Sequence, residues 1–374
     1  MNNLIYMPLD WLSRYDPNLR ADTYQHNKWF NMQSVNMWPS HLTSRVHKLN
    51  TPWNLAPTIC PMPSLAHTTE LSFDTVIDST THRLCEYIKN TGKTPYMCWS
   101  GGTDSTSILV SLLKVGNPDF LKKLVVLHNQ RSIQENAYFY YRFLDGRITT
   151  VDFDQIPFCI TAENYDQVVI LDGDAGNQVM GSPHINSLMQ QGHRDILDLD
   201  WTTIEDPTEI IAGVSEFQFE MIRESVALAP VEIRTVFDLL WWVAFNFKTD
   251  DVLLRKIPSY IQHLTPEQSC EFWKTGIFKH YAQPEMQQWS IASLDMRRKS
   301  MDIMLKHISK KYIYDFDHND IWYAHKTEQG SMAQSYEKCE WGHSGLIALD
   351  SDWNKYNLAD SATRRELGRI LERI

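Results

Sequence analysis

The segment SGGTDS, residues 100–105, has the residue types and spacing of a phosphate-binding loop. It follows a short apolar run and precedes a segment with helical apolar spacing, which predicts a turn between a strand and a helix. Backbone N–H groups and serine hydroxyls at a helix N-terminus bind phosphate well, and glycines let the phosphate approach closely. The predicted phosphate-binding residues are Ser100, Gly101, Gly102, Thr103 and Ser105.

A carboxylate also lies in this loop, at Asp104. An acidic side chain beside a phosphate is best explained as a ligand of Mg²⁺, which accompanies ATP, so the loop predicts ATP and Mg²⁺ as cofactors. The nearby GKT at 92–94 resembles the end of a Walker A loop. A Walker A loop needs a glycine at the position where the chain has Tyr87. It also needs a strand before it, whereas the apolar spacing before residue 92 indicates a helix. A kinase or P-loop ATPase is therefore disfavoured.

Short strands and helices must position the loop. Apolar runs at 95–99, 123–128, 148–153 and 167–173 alternate with helix-like segments. The last run is a continuous series of Val, Ile and Leu, typical of a strand that is buried on both faces. Before the first run, Ser72 and Gly92 have the positions of a helix N-cap and a helix stop. The alternation predicts a doubly wound parallel α/β sheet from residue 72 to about residue 185.

Strand signals fade after about residue 200, and helical signals dominate. Residues 236–247 predict a buried helix, a capping box at 265–268 predicts a helix that ends at Gly276, and 367–374 carry a helical apolar stripe. We therefore predict three segments in the chain. They are an irregular N-terminal extension at 1–71, an ATP-binding α/β core at 72–200 and a mainly helical part at 201–374.

Composition and charge narrow the class of protein. The 374 residues are 43% hydrophobic, which predicts a folded core and excludes a disordered chain. The 35 Lys+Arg against 46 Asp+Glu give a net charge of −11, which disfavours nucleic acid as the main partner. The most apolar run, 236–247, is shorter than the roughly twenty residues of a membrane span. Six scattered cysteines and no evident leader predict a cytoplasmic protein that does not associate with membranes.

Two segments of the chain resemble the loops of a known superfamily. SGGTDS is similar to the SGGxDS loop of the N-type ATP pyrophosphatases, which include asparagine synthetase, GMP and NAD synthetases and several tRNA-modifying enzymes. ILDGDAGNQVMG, residues 170–181, resembles the LSGEGSDExFGG segment of the asparagine synthetase synthase domain, and its spacing from the first loop agrees. The resemblance implies an adenine nucleotide alpha hydrolase-like fold and cleavage of ATP to AMP and pyrophosphate.

The second loop departs from the family pattern at its acidic positions. Gly173 keeps the glycine and Asp174 stands where the family has Glu, but Asn177 replaces a metal-binding Asp and Gln178 replaces Glu. Asn binds Mg²⁺ through its carbonyl without adding charge, so the metal would depend on Asp104, phosphates and water, with Asp172 and Asp174 as further candidates. The resemblance thus implies nucleotide contacts at Gly173 and Asp174, and metal contacts at Asp104 and Asn177.

The resemblance also implies an adenine site and a catalytic lysine. In the family, adenine lies along the end of the second strand, which here includes Leu127 and His128. A lysine of the family meets the leaving pyrophosphate, and the basic stretch 297–326 offers Lys299 or Lys326 for that role. Asp174 is the candidate base for an incoming amine.

The expected activity is that of an ATP-dependent amide-forming ligase. A small-molecule carboxylate would attack the α-phosphorus, pyrophosphate would leave, and ammonia or an amine would attack the acyl-adenylate. Residue 2 is Asn, where glutamine-dependent asparagine synthetases have a catalytic Cys, so ammonia release from glutamine by that route is not expected. Two alternatives are a nucleobase or tRNA-modifying enzyme of the same superfamily and a nucleotide-binding regulator that has lost turnover.

Overall fold

The computed structural model describes most of the chain's central part. The described residues are 71–152, 160–181, 191–211, 216–249, 275–300 and 306–328, with shorter pieces at 4–6, 45–46, 60–64, 185, 188–189, 214, 252–253, 264, 268, 271–272, 347–349 and 355–357. They belong to two compact units, each made of separate stretches of sequence. The parallel-sheet unit comprises Pro63–Met180 and Glu271–Trp341, and the second unit comprises Met1–Met62, Gly181–Cys270 and Gly342–Ile374. The expected division into three consecutive segments stays a prediction.

A five-stranded sheet, parallel throughout, forms the centre of the parallel-sheet unit and confirms an α/β fold. The chain also has a strand β1 at Leu4–Tyr6, so the five strands are β2 (Thr94–Cys98), β3 (Val125–His128), β4 (Thr149–Asp152), β5 (Val168–Asp172) and β6 (Ile277–Lys279). Every residue of β5 is buried, which explains its continuous apolar run.

The strand order creates a switch point between β2 and β5. The order across the sheet is β4-β3-β2-β5-β6, so the chain builds outward from β2 on one side and then begins again with β5 on the other. In open α/β sheets, ligands bind in the crevice outside the carboxyl ends of the strands at such a point. Both loops singled out in the sequence begin there.

The helices around β2 begin and end where the sequence indicates. Helix α1, Phe73–Thr91, begins after Ser72, whose side chain accepts a hydrogen bond from the Thr75 N–H, and ends at Gly92 in the left-handed conformation. Helix α2, Thr103–Val115, begins directly after the glycine loop, with Gly102 as its N-cap. The GKT segment therefore belongs to a helix end and a strand start, not to a Walker A loop.

Shorter helices fill the rest of the parallel-sheet unit. They are α3 (Pro118–Lys123), α4 (Gln130–Glu135), α5 (Ala137–Phe139), α6 (Gly176–Met180), α9 (Pro284–Ala292), α10 (Leu294–Ser300), α11 (His307–Asp317) and α12 (Asp320–Glu328). Asn129 and Ser132 form a capping box that begins α4 directly beyond β3. A π-helical turn, Tyr140–Leu144, follows α5.

The second unit contains helices α7, Glu216–Val226, and α8, Val236–Val243. A capping box of Thr235 and Asp238 begins α8, whose residues are all buried, so the prediction of a buried helix is confirmed. Strands β1, β7 (Ile347–Leu349) and β8 (Lys355–Asn357) form an antiparallel sheet in this unit. Within the described residues, no helix is long and apolar enough to cross a membrane.

The expectations for the C-terminal half have different outcomes. Strands β6, β7 and β8 lie in the region where strand signals fade, and three residues each are too few to give a periodic pattern. The capping box at 265–268 lies almost entirely outside the described residues, and the stripe at 367–374 lies wholly outside them.

Candidate functional site

The glycine loop has one tight position and one open position. Gly101 has φ +74°, and a Cβ there would lie 2.3 Å from the Ser132 carbonyl oxygen of α4. Gly101 therefore lets the loop pack against α4. Gly102 has ordinary extended backbone, and among the described atoms a Cβ there would meet only Ser100 Oγ, at 3.3 Å. The open side of Gly102 is thus the part of the loop that a ligand could approach.

Ser100 and Ser105, at the two ends of the glycine loop, are joined by hydrogen bonds. The Ser100 N–H donates to Ser105 Oγ at 3.1 Å, and the two hydroxyl oxygens lie 3.0 Å apart. The Gly102 N–H has only a long contact of 3.4 Å with Ser100 Oγ. It lies at the N-terminal end of α2, where free amides and the helix dipole favour an anion.

The second loop lies directly against the first. A Cβ at Gly173 would lie 2.8 Å from the Ser105 nitrogen, and a Cβ at Gly176 would lie 2.4 Å from Asp104 Cγ. Only glycine allows this approach, so the two loops meet at the first turn of α2. Residues about 70 positions apart in the chain thus form one continuous surface.

Ala175 lies between these two glycines and has φ +66°. This left-handed conformation is unfavourable for residues other than glycine. The similar LSGEGSDE segment has glycine at this position. The backbone of the second loop therefore has the conformation that the segment's glycine would adopt without strain.

A buried ion cluster shapes the start of the second loop. Lys279, the last residue of β6, lies opposite Asp172 in the sheet register. Its ammonium contacts Asp172 Oδ2 directly and Asp174 Oδ2 at 3.2 Å, and all three side chains are buried. Burial alone would lower the pKa of Lys279, but the charges of the two carboxylates outweigh it and raise that pKa. Lys279 therefore stays protonated and keeps the pair of carboxylates together.

Asp104 is paired with a lysine that approaches from α11. Lys306 Nζ lies 2.6 Å from each carboxylate oxygen of Asp104. The backbone of Lys306, the N-cap of α11, is left-handed, with φ 56°. On the other side, the Tyr281 hydroxyl donates to the Asp104 carbonyl oxygen at 3.2 Å.

Two further lysines lie beside this pair. Lys326 of α12 forms a buried ion pair with Glu135 of α4. Lys310, 6% exposed, donates to the Lys326 carbonyl oxygen at 2.9 Å and contacts no carboxylate of the described residues. Burial is the main cause that lowers the pKa of Lys310 to about 7, and the charges of Lys306 and Lys326 lower it further. A buried lysine that contacts no carboxylate of the described residues is a candidate partner for an anionic ligand.

A hydrogen-bond hub on α1 positions the lysines of α11. Asp78 accepts a hydrogen bond from the Tyr312 hydroxyl and one from Ser111 Oγ at 2.7 Å. Lys114 Nζ lies 2.8 Å from the other oxygen of Asp78 and 4.3 Å from the centre of the Tyr312 ring. These contacts fix α11 against α1 and α2 and place Lys306, the N-cap of α11, at Asp104 of the glycine loop.

The end of β3, the expected adenine region, is lined with aromatic rings. The Leu127 carbonyl oxygen accepts a hydrogen bond from the backbone N–H of Trp99 at 2.9 Å. His128 is buried, its ring lies edge-on to Tyr140, and its Nδ1 has no hydrogen-bond partner among the described atoms. Trp99 and Tyr140 lie nearly parallel, with centroids 6.2 Å apart. Trp99 and His128 are buried against these neighbouring rings, and Tyr140 is half-buried, so Tyr140 is the ring of this group that a planar ligand could contact.

The structure brings most of the expected site residues together, with two exceptions. The glycine loop, Asp104, Gly173 and Asp174 meet at the switch point, and Lys326 lies near them. Asn177 is exposed on α6, one residue beyond the Asp104–Gly176 contact. Lys299 is exposed on α10, and no hydrogen bond or ion pair in the described parts of the chain joins it to either loop.

Sequence reasoning missed Lys279 entirely and did not single out Lys306 or Lys310 within the basic stretch. No group of three or more His, Cys, Asp or Glu side chains suitable for a metal occurs in the described residues. Asp104 with phosphate oxygens and water is still a sufficient donor set for Mg²⁺, which often uses only one or two carboxylates.

Comparisons with known proteins add no relative: no protein-family model, curated protein or solved structure matches the chain significantly.

Proposed function

We propose that the parallel-sheet unit is an adenine nucleotide alpha hydrolase-like domain of the N-type ATP pyrophosphatase kind, which adenylates a carboxylate and passes it to ammonia or an amine. The observation that carries this proposal is the contact between the two loops. Gly173 and Gly176 of the second loop pack against Asp104 and Ser105 in the first turn of α2, at the switch point of the sheet, where ligands of such folds bind. The proposed activity is therefore that of an asparagine synthetase-like ligase.

The phosphates of ATP would lie at the N-terminus of α2. The Gly102 N–H and the hydroxyls of Ser100 and Thr103 face them in this proposal, and Gly102 leaves room for close approach. Asp104 would hold Mg²⁺ together with phosphate oxygens and water, and the carbonyl of Asn177, one residue beyond the Asp104–Gly176 contact, is a further candidate ligand. The metal would neutralise charge on the polyphosphate. The base of the nucleotide would lie beside His128 and Tyr140.

Lys310 is the best candidate for the cation that faces the leaving pyrophosphate. It is buried, it contacts no carboxylate of the described residues, and it lies on the helix whose N-terminus points towards the glycine loop. Lys326 is a neighbour in the same cluster, but Glu135 already neutralises its charge. Lys299 has no hydrogen bond or ion pair to either loop among the described residues. An anion beside Lys310 would stabilise its protonated form, as required of a group that neutralises a developing charge.

Asp174 is the proposed base for the incoming amine. Asp174 directly follows Gly173, which packs against the glycine loop, and its carboxylate oxygen lies 3.2 Å from the Lys279 ammonium. An ionised carboxylate can accept the proton that the amine loses when it attacks the acyl-adenylate. The amide product then forms as AMP leaves.

The test is the identity of the ATP products. Purified protein is incubated with Mg²⁺, α-labelled ATP and pools of carboxylates with ammonia or amines. The proposal predicts AMP and pyrophosphate, formed only when a carboxylate is present and lost in Asp104→Asn. ADP and phosphate as products would contradict it. Release of AMP that depends on RNA or a nucleoside would favour the nucleobase-modifying alternative.

A nucleotide-binding regulator is the second candidate, and one observation favours it. Lys306 occupies both oxygens of Asp104, and Asn177 supplies no charge that could compete for the metal. For a regulator, calorimetry should show tight binding of ATP. The product assay should then detect neither AMP nor ADP with any pool of substrates.

A further inference from the structure

The pairing of Lys306 with Asp104 bears on how the metal enters the site. The ammonium lies 2.6 Å from both carboxylate oxygens, and both side chains are mostly buried. A divalent cation that bound the same carboxylate would lie within a few ångströms of the ammonium, and the two positive charges would repel each other. Free Mg²⁺ therefore meets a ligand that already has a cation.

Asp104 is held in place, whereas Lys306 is able to move. The carboxylate lies against the bare Cα of Gly176, where a Cβ would lie 2.4 Å from its Cγ, and the backbone carbonyl of Asp104 accepts a hydrogen bond from Tyr281. Lys306 reaches the carboxylate through a flexible four-carbon chain. An exchange of cations at Asp104 therefore needs only a rotation of the lysine side chain.

A polyphosphate would give Lys306 a new partner. Lys306 lies at the N-terminus of α11, an end of the helix that favours anions and disfavours cations, and its neighbour Lys310 is a buried ammonium without a carboxylate among the described residues. An anion placed between these lysines would relieve both unfavourable charges. Lys306 could then leave Asp104 for a phosphate oxygen as Mg²⁺ takes its place.

We propose that Lys306 is an internal cation that occupies Asp104 until Mg²⁺ arrives bound to ATP, so that the site admits the metal with the nucleotide and not before it. This inference rests on the proposed function, because that function assigns Asp104 to Mg²⁺. It adds an order of binding: the nucleotide and metal enter as one complex.

The test measures metal binding without nucleotide. Mn²⁺, a paramagnetic substitute for Mg²⁺, is titrated into the intact ligand-free protein and followed by electron paramagnetic resonance. Lys306→Met and Lys306→Gln should bind one Mn²⁺ roughly tenfold or more tightly than the wild type, because Asp104 has lost its cation. Lys311→Met is the matched control, because Lys311 lies on the same helix but pairs with Asp315 at the surface. It should bind Mn²⁺ as the wild type does.

The double variant Asp104→Asn with Lys306→Met assigns the effect to Asp104, and it should lose the tighter binding. Wild-type affinity for Mn²⁺ in both Lys306 variants would overturn the inference, as would tight binding that persists in the double variant. The product test of the proposed function is independent of these titrations. Production of ADP would contradict the proposed ligase function but not the exchange of cations at Asp104. Production of AMP, with no tighter Mn²⁺ binding in the Lys306 variants, would support the ligase function and contradict the exchange.

Discussion

The two loops at the switch point have opposite imbalances of charge. Beside the glycine loop, three lysines meet two carboxylates: Lys306, Lys310 and Lys326 with Asp104 and Glu135. Beside the second loop, two carboxylates, Asp172 and Asp174, share Lys279. The first cluster includes a buried ammonium that contacts no carboxylate of the described residues, whereas the second is joined by direct contacts. The difference supports the proposal that the first cluster binds an anionic ligand, whereas the direct contacts of the second cluster stabilise the start of the second loop.

The largest expected effect is on stability, at the second cluster. Lys279→Met would leave two buried carboxylates without their ammonium, which should lower the free energy of unfolding by about 3–5 kcal/mol. Urea unfolding followed by circular dichroism measures it. Lys299→Met, at an exposed lysine, is the control and should change stability by less than about 0.5 kcal/mol. Wild-type stability of Lys279→Met would mean that the cluster does not hold the loop.

Asp104→Asn should act mainly on turnover. The loss of a preorganised charge beside the phosphates should lower AMP release by on the order of 10²-fold. The Asp104 and Lys306 side chains are mostly buried, so an ammonium left without its carboxylate should also lower the free energy of unfolding, by about 1–3 kcal/mol. Asp315→Asn, which removes an exposed carboxylate of α11, should release AMP at the wild-type rate. An Asp104→Asn enzyme that is equally fast would remove Asp104 from the site.

Lys310→Met should weaken ATP and pyrophosphate binding roughly tenfold, because it removes a buried cation that faces the ligand. The pKa of Lys310 in the free protein is about 7, lowered by burial and by Lys306 and Lys326 against a smaller opposite effect of Asp104. A bound anion raises that pKa, so binding takes up a proton above pH 7. The affinity should be flat below pH 7 and fall as the pH rises above it.

Calorimetry in buffers of different ionisation enthalpy measures both the affinity and the proton uptake. Lys310→Met should abolish the proton uptake, and Lys311→Met should retain it. A wild-type affinity that rises with pH above 7 would contradict the assignment of Lys310.

The smallest expected effect is at Asn177. Asn177→Asp restores a carboxylate at the position where the similar segment has its metal ligand, and two anionic oxygens bind Mg²⁺ better than one anion and one carbonyl. The Mg²⁺ concentration for half-maximal nucleotide binding should fall a few-fold. A rise in the KM of the second substrate with unchanged Mg²⁺ dependence would place Asn177 at that substrate instead. If neither quantity changes, the alignment of residues 170–181 is wrong.

Local features of the fold could be predicted from the sequence, and long-range pairings could not. The caps at Ser72 and Gly92 and the buried run of β5 depend on nearby residues, so their patterns were readable. Lys279 pairs with Asp172 across 107 residues, through the register of a three-residue strand that leaves no periodic signal. Lys306 reaches Asp104 from α11, which the Asp78 hub anchors to α1 across more than 230 residues of sequence. The same limit explains why the sequence points to Lys299 or Lys326 and not to Lys310.

The central claim, that the two loops form an adenylating site, is tested most directly by exchange of labelled pyrophosphate into ATP. The protein is incubated with Mg²⁺, ATP, radiolabelled pyrophosphate and a pool of carboxylates, with no ammonia or amine present. Reversible adenylation predicts label in ATP that depends on the carboxylate and is lost in Asp104→Asn. Release of AMP that requires a carboxylate, with no label entering ATP, would contradict a reversible acyl-adenylate at this site.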